Sequence, residues 1–201
     1  VADIHTAQTL KLPTPALRNG KAAIIRAPAT PELKALVTGL AVRAERLRKG
    51  RVDPRVDNML KITTEGRKAA LDLRLVDSSA RDHPESKANL AVHEVFRIWQ
   101  ETKADRLTQL VFCDLSTPKD TGFSVYDDVK TKLVIAGVPT AEIAFMQEYD
   151  SDAAKLALFK DVRAGKIRVL LGSTQKMGSG TNVQERLIAL HHLDAPWRPA
   201  D

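Results

Sequence analysis

Residues 167–193 read IRVLLGSTQKMGSGTNVQERLIALHHL. Two short apolar runs, Ile167 to Leu171 and Leu187 to Leu193, flank a loop of glycines, hydroxyls and amides. Apolar runs this short, bounded by turn residues, read as buried strands. Working outward, Gln109 to Cys113 and Glu142 to Met146 (EIAFM) give two more strands of the same kind. Helical stripes lie between them. Phe123, Tyr126, Val129, Leu133 and Ala136 mark one, ended by Gly137 and Pro139. Leu156, Phe159 and Val162 mark another, capped by Ser151 or Asp150 and stopped by Gly165. A short helix is expected over Thr181 to Glu185. Strands that alternate with helices of about ten to fifteen residues build βαβ crossovers and a parallel sheet. The expected class is therefore α/β, a parallel sheet flanked by helices.

The amino-terminal half reads differently. Pro13, Pro15, Gly20, Pro28 and Pro31 punctuate an extended lead-in. A helix then starts at Thr30 and Pro31, with Leu33, Leu36, Val37, Leu40, Ala41, Ala44 and Leu47 on one stripe and Gly50 at its end. Its polar side and exit carry Arg43, Arg46, Arg48, Lys49, Arg51 and Arg55, which suit either a phosphate-tracking surface or a solvated face. Residues 53–77 fit strand and helix alike. A second helix is expected from Ser86 to Thr102, with Leu90, Ala91, Val95, Ile98 and Trp99 inward. The expected division is an extended and helical region over 1–85, then an α/β unit over 86–201.

Composition narrows the function. The chain has 201 residues, 43% hydrophobic and 28% charged, which is ordinary for a globular protein. No apolar run approaches the ~20 residues of a membrane span, and VADIHTAQTL has no signal-peptide pattern. A cytoplasmic location with no membrane partner is expected. The single Cys113 excludes an intrachain disulfide and multi-cysteine metal sites, and it reads as a small buried hydrophobe. His191 and His192 are adjacent on a strand, so their rings point to opposite faces and cannot share a metal. No metal site is expected. The net charge of +6 leans towards a nucleic-acid partner. Val1 is not methionine and Asp201 ends the chain in mid-phrase, so an excised piece of a longer protein is expected.

Ligands of open parallel sheets gather outside the carboxyl ends of the strands. Three loops qualify: Asp114 to Thr121, Gln147 to Asp152, and Gly172 to Gln184. The third, with Gly172, Gly178 and Gly180, could hold a phosphate on backbone amides or could simply be a tight turn. No stretch fits GxxxxGK followed by Ser or Thr, and no acidic box follows a strand. The parts that usually hold a nucleotide triphosphate and magnesium are therefore missing from this chain. After the last strand comes Asp194-Ala195-Pro196-Trp197-Arg198-Pro199. It is similar in place to the D-P-P-Y/W tetrad of amino-methyltransferases, though Ala195 stands for its first proline.

Taken in order, these motifs resemble the second RecA-like lobe of a superfamily-two helicase of the Swi/Snf-like branch, as in plasmid and phage helicase–methylase proteins. Ser86 and Lys87 open the helix before the strand Leu110 to Phe112. Ser173, Thr174, Gly178, Gly180, Asn182 and Gln184 match the fifth helicase motif, and Asp194, Trp197 and Pro199 match D-x-x-W-x-P. The resemblance covers about Ser86 to Asp201, and more loosely residues 57–76. It implies a motor on double-stranded DNA. Ser116, Ser173, Thr174 and Lys176 would contact DNA, while Gly178, Gly180, Asn182 and Gln184 would shape the ATP cleft. Asp194, Trp197, Arg198 and Pro199 would lead to a Q-R-x-G-R arginine motif that is not in the sequence. ATP and magnesium would serve the intact protein through a first lobe of the same chain. The piece alone would bind neither and would hydrolyse nothing. A non-catalytic DNA-binding or docking module, or an adenine-specific DNA methyltransferase fragment, are the alternatives.

Overall fold

The fold is that of a computed structural model, which describes residues 26–50, 52–118, 122–178 and 180–195. The lead-in up to residue 25 and the segment 196–201 lie outside the described residues.

Four parallel strands form the sheet: β1 (Thr108–Phe112), β2 (Ile143–Phe145), β3 (Val169–Gly172) and β4 (Leu187–His192), in the order β2-β3-β1-β4. Gln109 pairs with Val169 on one side and Ala189 on the other, so β1 sits centrally. Each strand lies within two or three residues of its expected position. β1, β2 and β3 are buried on both faces, as their apolar runs require, and in β1 the polar Thr108 and Gln109 are buried with them. β4 departs from that expectation. It is an edge strand whose Ile188 and Leu190 are 51% and 55% exposed, because among the described residues no helix covers that flank.

Helices cover both faces. α3 (Lys87–Glu101) and α4 (Val125–Ile135) enclose a core with Val95, Trp99, Val129, Leu133, Val111, Val169 and Leu171. α5 (Asp152–Arg163) encloses the opposite core with Phe159, Val162, Leu110, Phe112 and Leu170. Ser86, Ser124 and Ser151 cap these helices, each hydroxyl accepting a backbone N–H three residues on. Two stripes are rotated from the sequence reading. α3 buries Ala88, Val92, Val95 and Trp99, leaving Leu90, Ala91 and Ile98 only partly covered, and α5 buries Leu158 while Leu156 is 66% exposed. The sheet, and not the helix's own pattern, selects which neighbouring apolar residue turns inward.

Ahead of the sheet, α1 (Pro31–Arg48) packs on α2 (Met59–Leu71). Thr30 and Pro31 start α1 as expected, with the Thr30 hydroxyl accepting the Leu33 N–H. The ambiguous 53–77 stretch resolves into α2 and a 3-10 turn at Leu73–Leu75. Leu71 enters the core shared with α3 and α4, which joins this half to the sheet. Three of the six basic residues of α1 and its exit are paired within the chain. The Arg43 guanidinium forks onto Asp57 and Glu65, and Arg48 and Lys49 pair with Glu45. Arg51 lies outside the described residues.

Candidate functional site

The loops after β1, β3 and β4 converge at the carboxyl end of the sheet. β3 ends at Gly172, and Ser173 caps a four-residue helix, α6 (Thr174–Met177). The helix expected over Thr181 to Glu185 is replaced by a 3-10 turn at Gln184–Arg186. The earlier helix follows from Ser173, whose hydroxyl accepts the Lys176 N–H at 3.3 Å. Met177 is its buried anchor, set among Met146, Phe159 and Val183.

The glycines divide the work. Gly180 has φ +75, a conformation that residues with a β-carbon adopt at a cost of about 1–2 kcal/mol. Gly178 is ordinary in φ, but a β-carbon there would stand 2.5 Å from the Thr174 carbonyl oxygen. Both positions therefore call for glycine, one through its turn geometry and the other through crowding.

Two carboxylates bind this end together. Asp194, 8% exposed, accepts the Asp114 N–H at 3.0 Å and the Leu115 N–H at 2.7 Å. Asp114 in turn accepts the Thr174 N–H at 2.7 Å. The Cys113 thiol donates to Asp194 at 3.8 Å, and burial, with that carboxylate nearby, pushes its pKa up to about 12. It is thus a neutral thiol and no nucleophile. Tyr126 donates to the Cys113 carbonyl at 2.7 Å and accepts from Gln147 at 3.2 Å. Burial raises the Tyr126 pKa well above the ordinary tyrosine range.

The remaining expected residues are spread around this bracket. Lys176 is exposed and pairs with Asp150 at 2.9 Å, which holds the Asp150 carboxyl below the usual range. Lys176, Gln175, Gly180 and Thr181 line a cavity of about 430 Å³ with Lys155, Met146 and Phe159. Asn182 and Gln184 are exposed, and the Asn182 carbonyl accepts from Arg163 at 2.6 Å. Ser116 is buried at 3% exposure, and its hydroxyl accepts the Val125 N–H at 2.9 Å, a packing duty at the start of α4. Trp197, Arg198 and Pro199 lie outside the described residues. So the structure joins Thr174 and Asp194 through Asp114, and it sets Ser116 apart.

Metal chemistry has one candidate cluster among the described residues, Asp72, Asp82 and Asp128. Arg74 and Lys132 already occupy it: Arg74 pairs with all three carboxylates, and Lys132 with Asp82 and Asp128. It ties the segment after α2 to α4. No spacing rule could have flagged it, since its members lie far apart in sequence.

In comparisons with known proteins, no family model, no curated protein and no solved structure matches the chain. What is established is the class: an α/β protein with an all-parallel four-stranded sheet flanked by helices. Among the described residues no helix is long and apolar enough to cross a membrane.

Proposed function

We propose that the chain forms the second RecA-like lobe of an ATP-driven helicase or translocase acting on double-stranded DNA in the cytoplasm. The observation that carries this reading is the convergence of the fifth-motif loop and the Asp194 loop at one end of a parallel sheet, linked by Asp114. Lys176 and the exposed loop around it supply cationic and amide donors for backbone phosphates, which carry no sequence information. The donor set suits the rim of a nucleotide site and not its phosphate cradle. Gly178, Gly180, Asn182 and Gln184 offer backbone and amide groups, and the chain has no GxxxxGK lysine. ATP and magnesium would supply the driving reaction once a first lobe holds them, while this lobe orients the loop against DNA.

The test is duplex DNA binding by fluorescence anisotropy across a salt series. Weak, salt-sensitive binding is expected, with Lys176→Ala weakening it more than Arg48→Gln, a charge removed from the exposed end of α1. Equal effects, or no binding at low salt, would count against the reading.

A further inference from the structure

We infer that Asp114 is a positioning residue that transmits the placement of the Asp194 loop to the Thr174–Lys176 turn; this rests on the functional reading above for its consequence in DNA binding. The geometry is a chain of three charge-assisted hydrogen bonds across three strands. Asp194, just after β4, accepts the N–H groups of Asp114 and Leu115, just after β1. That fixes the backbone from which the Asp114 side chain projects. The Asp114 carboxylate then accepts the Thr174 N–H at 2.7 Å, just after β3. Thr174 is the first residue of α6, so its N–H is among the donors a helix start leaves unpaired. The next turn of chain carries Lys176.

The arrangement goes beyond ordinary capping. Ser173 already caps α6 through its hydroxyl, so a second acceptor from another strand is not needed to start the helix. What Asp114 adds is location. It ties α6 to the central strand, whose own exit is held by a carboxylate from the edge strand. Among the described residues β4 makes its ladder with β1 alone, so the β1 exit is the hydrogen-bonded route from the β4 exit to α6. In the proposed motor the Asp194 loop leads towards the arginine that senses nucleotide, and the α6 turn faces DNA. Asp114 is the one described side chain bonded both to the backbone amide of α6 and, through its own amide, to Asp194.

The experiment uses the whole 201-residue chain, with Thr174 amide hydrogen exchange and duplex binding read on the same samples. Asp114→Ala removes the acceptor, and Thr174 exchange should accelerate at least about tenfold, the loss expected for one hydrogen bond to a charged group. Duplex affinity should fall severalfold while the unfolding midpoint moves little. Asp114→Asn keeps an acceptor oxygen and should restore most of the protection. The decisive variant is Asp194→Asn, whose side chain never touches Thr174. It keeps one acceptor and turns an N–H donor against the amides of residues 114 and 115. Thr174 exchange should still accelerate severalfold. If Asp194→Asn loosens Leu115 and leaves Thr174 unchanged, the relay is overturned. Should that variant fail to fold, Asp114→Ala decides: unchanged Thr174 exchange overturns the proposal. Accelerated exchange in a chain that binds no duplex would support the relay and sink the helicase reading, so the two failures are told apart.

Discussion

The two ends of the sheet hold charge in opposite ways. At the carboxyl end, carboxylates collect amides: Asp194 takes the N–H groups of Asp114 and Leu115, and Asp114 takes that of Thr174. At the amino end, guanidiniums collect carbonyls. Arg168, 1% exposed, donates to the carbonyls of Leu107 and Trp99 and to the Thr102 hydroxyl. Arg106 donates to the Gly165 carbonyl, and Arg186 to those of Arg163 and Asp105. The difference follows from chain direction. In a parallel α/β unit the helices run back against the strands, so helix C-termini and their unpaired carbonyls gather where strands begin. α3 ends at Glu101 and α5 at Arg163, beside these arginines. The lesson is that one end is closed by cations on fixed carbonyls, and the other is left with exposed loops on an anionic bracket.

The largest expected effect breaks the closed end. Arg168→Ala leaves the Trp99 and Leu107 carbonyls without their buried donor and Glu142 without its 3.8 Å partner. A loss of about 3–5 kcal/mol is expected, since each of the two carbonyls left unpaired costs about 1–3 kcal/mol, while Glu142 keeps Arg106 at 3.1 Å. Urea unfolding should show a lowered midpoint with an unchanged slope. A loss under about 1 kcal/mol would mean that the arginines do not clamp this end. Next in size is Asp194→Ala at the open end, expected to lose about 2–3 kcal/mol because the Asp114 and Leu115 amides lose a charged acceptor near solvent that partly replaces it. If it proves the more damaging of the two, the ranking of the ends is reversed.

Much of this architecture can be read directly from apolar pattern. VLL, LVF and IAF are strands because nothing polar interrupts their run, and Ser86 and Ser151 mark helix starts in plain sight, whereas the Ser124 cap emerges only in the structure. The charge pattern is not legible in that way. Arg168 is the second residue of I-R-V-L-L, where a local reading sees an apolar strand with a blemish and cannot know that the end of α3, at Trp99 and Thr102, meets its side chain. Asp114 is likewise an ordinary loop residue until β3 is laid beside β1. Ser116 illustrates the converse: it sits in a loop marked for ligands, yet its hydroxyl serves Val125. Residue type and spacing report what a segment does with itself. They do not report which distant amide or carbonyl it will meet.

A smaller effect separates the two glycines of the open end. Gly180→Ala should cost about 1–2 kcal/mol through φ alone, since nothing crowds its position. Gly178→Ala should displace the end of α6 because its β-carbon meets the Thr174 carbonyl at 2.5 Å. Thermal melts and Lys176-dependent duplex binding together sort these: the first variant shifts the midpoint mainly, the second shifts binding as well. Identical behaviour would mean that φ and crowding do not act separately here.

The smallest effect lies on β4, midway between the two ends, and is one of pH. His191 Nε2 stands 2.9 Å from the Gln109 Oε1, while Gln109 Nε2 donates to the Val95 carbonyl. With Oε1 left as acceptor, His191 donates through Nε2, tying the edge strand to the central strand and to α3. That bond survives protonation, so it does not set the sign. Burial does. It lowers the His191 pKa below the ordinary histidine value, opposed by Glu94 and reinforced by His192. The unfolded chain therefore binds a proton near pH 6.5, where the folded chain still resists it. The stability from this group is fully present above about pH 6.5 and is lost as pH falls from there to the folded value. His191→Gln keeps a donor for Gln109 and removes the titration. The difference in unfolding free energy between wild type and variant should shrink as pH falls through that window and stay flat above it. A difference that grows on acidification would mean that Glu94 outweighs burial, and that β4 is held to α3 by charge and not by packing.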